Sequence, residues 1–484
     1  MKLSALLRGI ALVETNVDLN TEITDVHYDS RKVTPGSLFV AVTGFAADGN
    51  RFIPMALEKG AVAVVTARKP GEDVPYILVE SDRLALAMLG VNFFGAPAEA
   101  MTMVGITGTN GKTSATLLLK HVLEQTRGAK VGLIGTMFNL IGDEELPTER
   151  TTPESFELQR LFARMRDAGC THVVMEVSSH AISLERVGGI MYDAAAFTNL
   201  TEDHLDFHKT MEAYCDAKAE LFRRCRKAVA NRDDSWFGRM TANAACPVLS
   251  TSVEGGADLN ASRVLLKPDG VEFLAACGGE TAQIKLPIPG KFTVYNALTV
   301  LGLAWQLGIS LSEAAGALAT APGVKGRVEV VPTPGKPYTV LIDYAHTPDG
   351  LENVLSSVRG YCQGRLIAVF GCGGDRDPIK RPIMGRIGTE LADIAVITSD
   401  NPRTEDPMAI IRDICAGADE AHKPYKVICD RRQAIEYALT IGREQDIIIL
   451  AGKGHETYQE ICGVKHHLDE REEVARILEE SKGV

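Results

Sequence analysis

Val104-Gly-Ile-Thr-Gly108-Thr-Asn-Gly111-Lys112-Thr113-Ser114 follows an apolar run, Met101 to Thr107, and opens an apolar-periodic stretch, Ser114 to Gln125. The order strand, glycine turn, helix marks the start of an α/β unit. Phosphate suits such a turn. Backbone N–H groups converge there, glycines let the chain approach closely, and the helix N-terminus carries partial positive charge. Lys112 is expected to reach the β- and γ-phosphates, and the Thr113 hydroxyl to ligate Mg²⁺. The strict G-x-x-x-x-G-K-[ST] pattern would place glycine at the position of Ile106, so this turn is a variant of it.

On the N-terminal side, short β-like runs (Ser37 to Val42, Ala61 to Thr66, Tyr76 to Val79) alternate with helical stretches and close at Gly95-Ala-Pro97. On the C-terminal side, strands are expected at His172 to Glu176 and Ala194 to Thr198. Helices are expected near Met211 to Cys225 and over Asn296 to Leu307. Beyond the turn-rich Pro322-Gly-Val-Lys-Gly326 come Thr339 to Asp343, Leu366 to Phe370, Ile394 to Thr398 and Ile447 to Leu450. Short apolar runs separated by helical sequence read as another parallel sheet. The reading is α/β with three domains, at 1–100, 101–324 and 325–484, and with parallel sheets in the second and third.

Length and composition agree with this. The chain has 484 residues, 45% hydrophobic and 24% charged, which excludes a long disordered or collagen-like chain. Its 51 basic and 63 acidic residues leave a net charge of −12, so no overall positive field favours nucleic acid or anionic membrane. The first twelve residues contain no signal-peptide core, and no apolar run approaches the roughly 20 residues of a spanning helix. A cytoplasmic protein without membrane insertion is expected. The ten cysteines are scattered and form no C-x-x-C pair, which suits a reducing compartment.

Gly108-Thr-Asn-Gly-Lys-Thr113 resembles the nucleotide-binding turn of the Mur ligase family, ATP-dependent amide-forming enzymes of peptidoglycan precursor synthesis, and the resemblance runs over nearly the whole chain. It implies an N-terminal UDP-binding domain, a central ATP-binding domain and a C-terminal Rossmann-like domain that closes over the reactants. ATP would be held by Gly108, Thr109, Asn110, Gly111, Lys112, Thr113, Ser114, Asn296, Arg327 and Asp343, the last followed by His346. Glu176 in Glu176-Val-Ser-Ser-His180 would join Thr113 on Mg²⁺, and His204 would serve a second ion. Lys218 in Tyr214-Cys-Asp-Ala-Lys218 matches the family's carbamylated lysine. A carbamate turns an ammonium into a carboxylate-like anion able to bridge Mg²⁺. Lys112, His204 and Lys218 are thus the expected catalytic groups.

For the nucleotide-sugar substrate, Tyr28 and Ser30 in Tyr28-Asp-Ser30-Arg31 resemble contacts to UDP, and Thr151, Thr152, Ser178 and Arg186 contacts to the muramoyl peptide. Ser399-Asp400-Asn401-Pro402-Arg403 resembles the D-N-P-R signature of the branch that adds meso-diaminopimelate. That amino acid differs from lysine by a second α-amino acid terminus, whose carboxylate suits a bidentate guanidinium such as that of Arg403. Arg376, Gly452 and Glu456 would complete the pocket beside Asp400, Asn401 and Pro402. The resemblance thus implies a monomer that uses ATP and Mg²⁺ to join meso-2,6-diaminopimelate to UDP-N-acetylmuramoyl-L-alanyl-D-glutamate through an acyl phosphate. A lysine-adding ligase, a relative such as folylpolyglutamate synthetase, and a nucleotide-dependent regulator or sugar-nucleotide binding protein that performs no ligation remain as alternatives.

Overall fold

The computed structural model describes residues 1–44, 48–71, 73–148 and 150–480. β-branched and other apolar residues fill the short runs that the sequence marks as strands, and the buried ones assemble into sheets covered by helices. The chain divides into two compact units. The first is Met1–Thr251 with Gly302–Ile309, and the second is Ser252–Leu301 with the chain from Ser310 onward.

The first unit holds two sheets. The N-terminal one has the order Leu12–Thr15, Tyr76–Val79, Ala63–Thr66, Leu38–Val40, Val26–His27, parallel except for the first pair. Helix Asp82–Phe93 carries Leu86 and Leu89 into its core, with Ser81 capping the start by accepting from the Leu84 amide. The second sheet runs Val248–Ser252, Ala228–Asn231, Ala194–Phe197, Thr102–Thr107, His172–Glu176, Val131–Ile134, all parallel. An antiparallel hairpin, Asn139–Ile141 and Glu144–Leu146, then extends the last of these. The inner strands are buried along nearly their whole length, as parallel strands covered on both faces must be.

The second unit begins with an antiparallel meander, Leu259–Lys267, Gly270–Cys277 and Glu280–Leu286. Its main sheet has the order Glu329–Val331, Thr339–Asp343, Ile447–Ala451, Leu366–Phe370, Ile394–Ile397, Tyr425–Val427, parallel after the first pair. A hairpin, Tyr458–Ile461 with Val464–His467, follows the strand Ile447–Ala451. Among the described residues no helix is long and apolar enough to cross a membrane.

The four strands expected after residue 326 are present within a residue of their sequence limits. The expected helix Met211 to Cys225 is instead an α-helix, Met211–Ala219, that tightens into a 3₁₀ turn, Glu220–Arg223. Tighter i→i+3 bonding commonly finishes a helix.

Candidate active site

Strand Thr102–Thr107 lies between Ala194–Phe197 and His172–Glu176. The connection from its end runs to Val131–Ile134 on one side, while that from His172–Glu176 crosses to Ala194–Phe197 on the other. The strand order therefore reverses here, and open α/β sheets bind ligands outside the strand carboxyl ends at such a point. Gly108 has φ +147° and Gly111 φ +86°. A Cβ on Gly108 would stand 1.9 Å from Thr198 Oγ1, so the turn can lie against the neighbouring loop only as glycine. Thr198 Oγ1 donates to the Asn110 carbonyl at 2.6 Å, and the Asn110 amide donates to Asn199 Oδ1 at 2.9 Å. Helix Lys112–Arg127 then starts without a side-chain cap, a condition that suits anion binding at its first turn.

Two lysines meet at this turn. Lys112 Nζ donates to the carbonyls of Gly108 (2.9 Å) and Thr109 (2.8 Å), and Lys218 Nζ donates to the same Gly108 carbonyl at 2.9 Å. Lys218 is 2% exposed and sits over the Tyr214 ring. Burial, then the charge of Lys112, push its amine well below the ordinary lysine range. Glu176, at the end of its strand and 1% exposed, accepts from Thr113 Oγ1 at 2.9 Å and from the amide and hydroxyl of Thr136, each at 2.9 Å. A Cβ on Gly135 would stand 2.7 Å from the Glu176 carboxylate, so this loop also needs glycine. Hydroxyl and carboxylate oxygens side by side are the donor set of a hard divalent cation, which completes its shell with water and phosphate oxygens.

His204 has φ +55° and lies 3.4 Å from Asp203 Oδ2. Its ring meets the edge of His180 at 4.8 Å between centroids. His208 bonds Ser179 Oγ at 2.9 Å. Burial lowers the basicity of all three histidines, His208 to about 4.

The expected muramoyl-peptide contacts form one network with Glu176. Thr136 Oγ1 donates to Thr151 Oγ1 (3.0 Å), Thr152 Oγ1 to the Glu176 carbonyl (2.9 Å), and the Ser178 amide to Thr152 Oγ1 (3.2 Å). Arg186 reaches the Thr152 carbonyl at 3.3 Å and Glu154 at 3.3 Å. Tyr28 faces the Glu157 carboxylate of the same region, and burial followed by that charge pushes its phenol up. Ser30 stays outside this network, with its hydroxyl 3.5 Å from Met55 Sδ.

In the second unit the remaining nucleotide candidates lie on a strand end, a helix and the loops beside them. Asp343, at the end of Thr339–Asp343, accepts from the Val328 and Ala345 amides, both at 2.8 Å. Burial raises its carboxyl despite nearby Arg327, whose guanidinium lies 5.0 Å from the Tyr344 ring centroid. Asn296 is buried on helix Lys291–Gln306. His346 is exposed, with Nδ1 2.8 Å from the Tyr344 carbonyl.

The amino-acid candidates come from the loops after Leu366–Phe370, Ile394–Ile397 and Ile447–Ala451. Arg403, at φ +50°, donates from Nη1 to the Gly374 carbonyl at 2.7 Å and lies 3.3 Å from Glu460 Oε2 through Nε. A Cβ on Gly373 would touch both Arg403 Nη1 (3.0 Å) and Arg376 Cγ (3.9 Å), which places the two guanidinium-bearing chains together. Asn401 Nδ2 donates to Glu456 Oε2 at 2.8 Å. Asp400 is buried, and its Oδ1 accepts from the Asn401 amide at 2.6 Å. Burial alone would raise its carboxyl, but Lys453 and Arg431 overcome that and hold it below the usual range. Gly452, at φ +119°, makes room for Asp400, since a Cβ there would stand 2.6 Å from Oδ2. Pro402 is buried and its carbonyl packs where a Cβ on Gly374 would fall, at 2.0 Å.

Sequence reasoning missed Thr136, His180, Arg431, Lys453 and Glu460. Thr136 and Lys453 each follow a glycine just past a buried strand, Ile134-Gly-Thr136 and Ala451-Gly-Lys453, a signal that would have found them.

Residues 22–90, 106–304 and 326–454 match family models described as the Mur ligase family catalytic domain, the Mur ligase middle domain and the Mur ligase glutamate ligase domain. A UDP-N-acetylmuramoyl-L-alanyl-D-glutamate--2,6-diaminopimelate ligase of Caldanaerobacter subterraneus subsp. tengcongensis is 47% identical over 485 residues, 100% of each chain. A ligase of the same name from Clostridium botulinum is 46% identical over 466 residues, 95% of this chain and 96% of that one. A solved structure of a ligase of that name has a TM-score of 0.74 at 30% identity, covering 100% of this chain and 99% of the other. With three consecutive segments matched and full-length relatives at this identity, the chain belongs to the Mur ligase family.

Proposed function

We propose that the protein joins meso-2,6-diaminopimelate to UDP-N-acetylmuramoyl-L-alanyl-D-glutamate at the expense of ATP, as a cytoplasmic step of peptidoglycan precursor synthesis. The observation that carries the reading is the pocket at the strand ends of the second unit. There the Arg403 guanidinium is steadied by the Gly374 carbonyl and Glu460, beside Asn401 and Glu456. A cation for a carboxylate next to acceptors for an ammonium matches an α-amino acid terminus that is not the one reacting. Lysine lacks that terminus and would bring no carboxylate to Arg403, a defect that sites built on hydrogen bonds reject by up to about 10⁴-fold. Full-length relatives named for this activity support the same reading.

The γ-carboxylate of the D-glutamate attacks the γ-phosphorus of ATP, its bond to the bridging oxygen breaks, and ADP leaves an acyl phosphate. The diaminopimelate amine then adds to the acyl carbon, loses a proton, and expels phosphate. Gly108 to Ser114 hold the nucleotide, and Lys112 stabilises charge on the transferred group. Asn296, Arg327 and Asp343 supply the remaining nucleotide contacts. Tyr28, Ser30, Thr151, Thr152, Ser178 and Arg186 bind the nucleotide sugar and its peptide. Thr113 and Glu176 would hold Mg²⁺, with His204 and modified Lys218 available to a second ion; when bound, the metal supplies Lewis-acid stabilisation of phosphoryl oxygens.

The depressed basicity of Lys218 fits carbamylation, because only the neutral amine adds to CO₂, forming an N–C bond and releasing a proton. Removing the buried positive charge would also relieve its repulsion with Lys112. The domain limits 1–100, 101–324 and 325–484 and a monomeric state belong to the same proposal.

The test is phosphate release with ATP and the UDP-muramoyl dipeptide, adding diaminopimelate or lysine in turn. Release should require both the acyl substrate and the amine, with a preference for diaminopimelate of at least about 10²-fold in kcat/KM. Equal use of lysine removes the substrate assignment, and release with neither partner points to a nucleotide-dependent regulator.

A further inference from the structure

We propose that Lys453 is the positioning residue of the amino-acid pocket, a buried ammonium that locks Asn401, Glu456 and Asp400 into the arrangement that reads the incoming amino acid. This rests on the reading of that pocket given above. Lys453 follows strand Ile447–Ala451 and is 0% exposed. Its Nζ donates to Asn401 Oδ1 at 3.0 Å and to Glu456 Oε2 at 3.0 Å, and lies 4.0 Å from Asp400 Oδ1. One cation therefore bonds Asn401 of the D-N-P-R loop and Glu456 of the Gly452–Glu456 loop, and lies beside Asp400.

The arrangement has a definite logic. A fully buried ammonium is unfavourable unless each of its protons finds an acceptor. Here the acceptors are the recognition groups themselves. Asn401 Oδ1 accepts from both Lys453 and the Glu460 amide (2.9 Å), so the amide nitrogen is the end turned to Glu456. The ammonium thus fixes which end of Asn401 each neighbour sees, and its charge draws the Asp400 and Glu456 carboxylates toward one point. Arg431, the other cation near Asp400 at 3.8 Å, donates to Glu470 and to the Ala451 and Ser399 carbonyls and has no hydrogen bond to Asn401 or Glu456. Lys453 is too enclosed to meet the ligand, so its effect passes through the groups it holds.

The experiment is steady-state phosphate release by the full chain carrying Lys453→Met, which keeps the apolar stem and removes the charge. The KM for diaminopimelate should rise at least about 30-fold. The KM values for ATP and the UDP-muramoyl dipeptide should stay within about twofold, and kcat should fall less than about fivefold. Lys453→Gln, which retains a shorter donor, should show the same pattern with a rise of about tenfold. An unchanged KM for diaminopimelate overturns the proposal, as does a uniform loss across all three substrates, or a failure of both variants to fold, because each assigns Lys453 to the scaffold. Absence of diaminopimelate-dependent phosphate release by the unmodified protein would instead remove the functional reading beneath it.

Discussion

Lys112 and Lys218 place two amines on one carbonyl, that of Gly108, and the charge of the first is among the causes that depress the second. Catalysis should respond to Lys112→Ala far more than stability does. Ligation should drop by about 10³-fold or more as the transferred phosphoryl group loses its cation. The thermal midpoint should change little, because the bonds lost to Gly108 and Thr109 go to carbonyls of the same turn. Activity within tenfold of the unmodified protein, measured by phosphate release, would refute the role given to this side chain.

His208 gives a second residue-level expectation, with its ring 8% exposed and its basicity lowered by burial to about 4 from an ordinary 6.5. Between those values the unfolded chain binds more protons than the folded one, so stability contributed by neutral His208 is present above pH 6.5 and lost as pH falls toward 4. His208→Asn should flatten that part of the urea-stability profile; a profile of unchanged slope assigns the acid sensitivity elsewhere. The nucleotide turn was legible in the sequence because its groups are chain neighbours. Thr136 was not, since it meets Glu176 only when strands 40 residues apart in sequence lie side by side.

At the level of elements, helices Arg431–Ile441 and Glu470–Glu480 are joined at their first residues by an ion pair in which both side chains are 0% exposed. Such a pair offsets its own desolvation rather than adding much, yet removing one partner strands the other charge in a dry site. Arg431→Met or Glu470→Leu alone should lower unfolding free energy by about 3–5 kcal/mol, whereas the double substitution should recover most of that loss. Urea titration of the three variants decides it, since simple additivity of the single losses would exclude a coupled pair.

The same scale explains what the sequence shows of the fold. Thr339–Asp343, Leu366–Phe370 and Ile447–Ala451 are buried along nearly their whole length, so they read as unbroken apolar runs. The hairpin Tyr458–Ile461 with Val464–His467 is mostly exposed and carries no such signature, though it supplies the Glu460 amide and carboxylate that steady Asn401 and Arg403. Strand Gly270–Cys277 does alternate buried and part-buried positions, and a two-residue period was there to be found.

Over the whole molecule, a chain of net charge −12 that takes anionic and zwitterionic organic substrates, as proposed, has to attract them locally. On the proposed reading, each unit supplies its own. The first contributes the Gly108 turn with Lys112 and Arg186, and the second contributes Arg327, Arg376 and Arg403, each over a separate hydrophobic core. Binding free energy delivered to a loop first suppresses the openings of that loop, and reaches the rest of the chain only through global unfolding.

Amide exchange should therefore map ligands to segments. With ADP and the UDP-muramoyl dipeptide present but no ATP, so that no turnover occurs, adding diaminopimelate should slow exchange at 399–403 and 452–460. At a ligand concentration of 100 times its Kd the protection should approach 100-fold, or about 2.7 kcal/mol. Adding ADP alone should instead protect 108–113. In Lys453→Met the diaminopimelate effect should vanish at the same ligand concentration while the ADP effect persists. Protection by diaminopimelate at 108–113 with none at 399–403 would mean that the amino acid is read in the first unit, and the Arg403 pocket would lose its assignment.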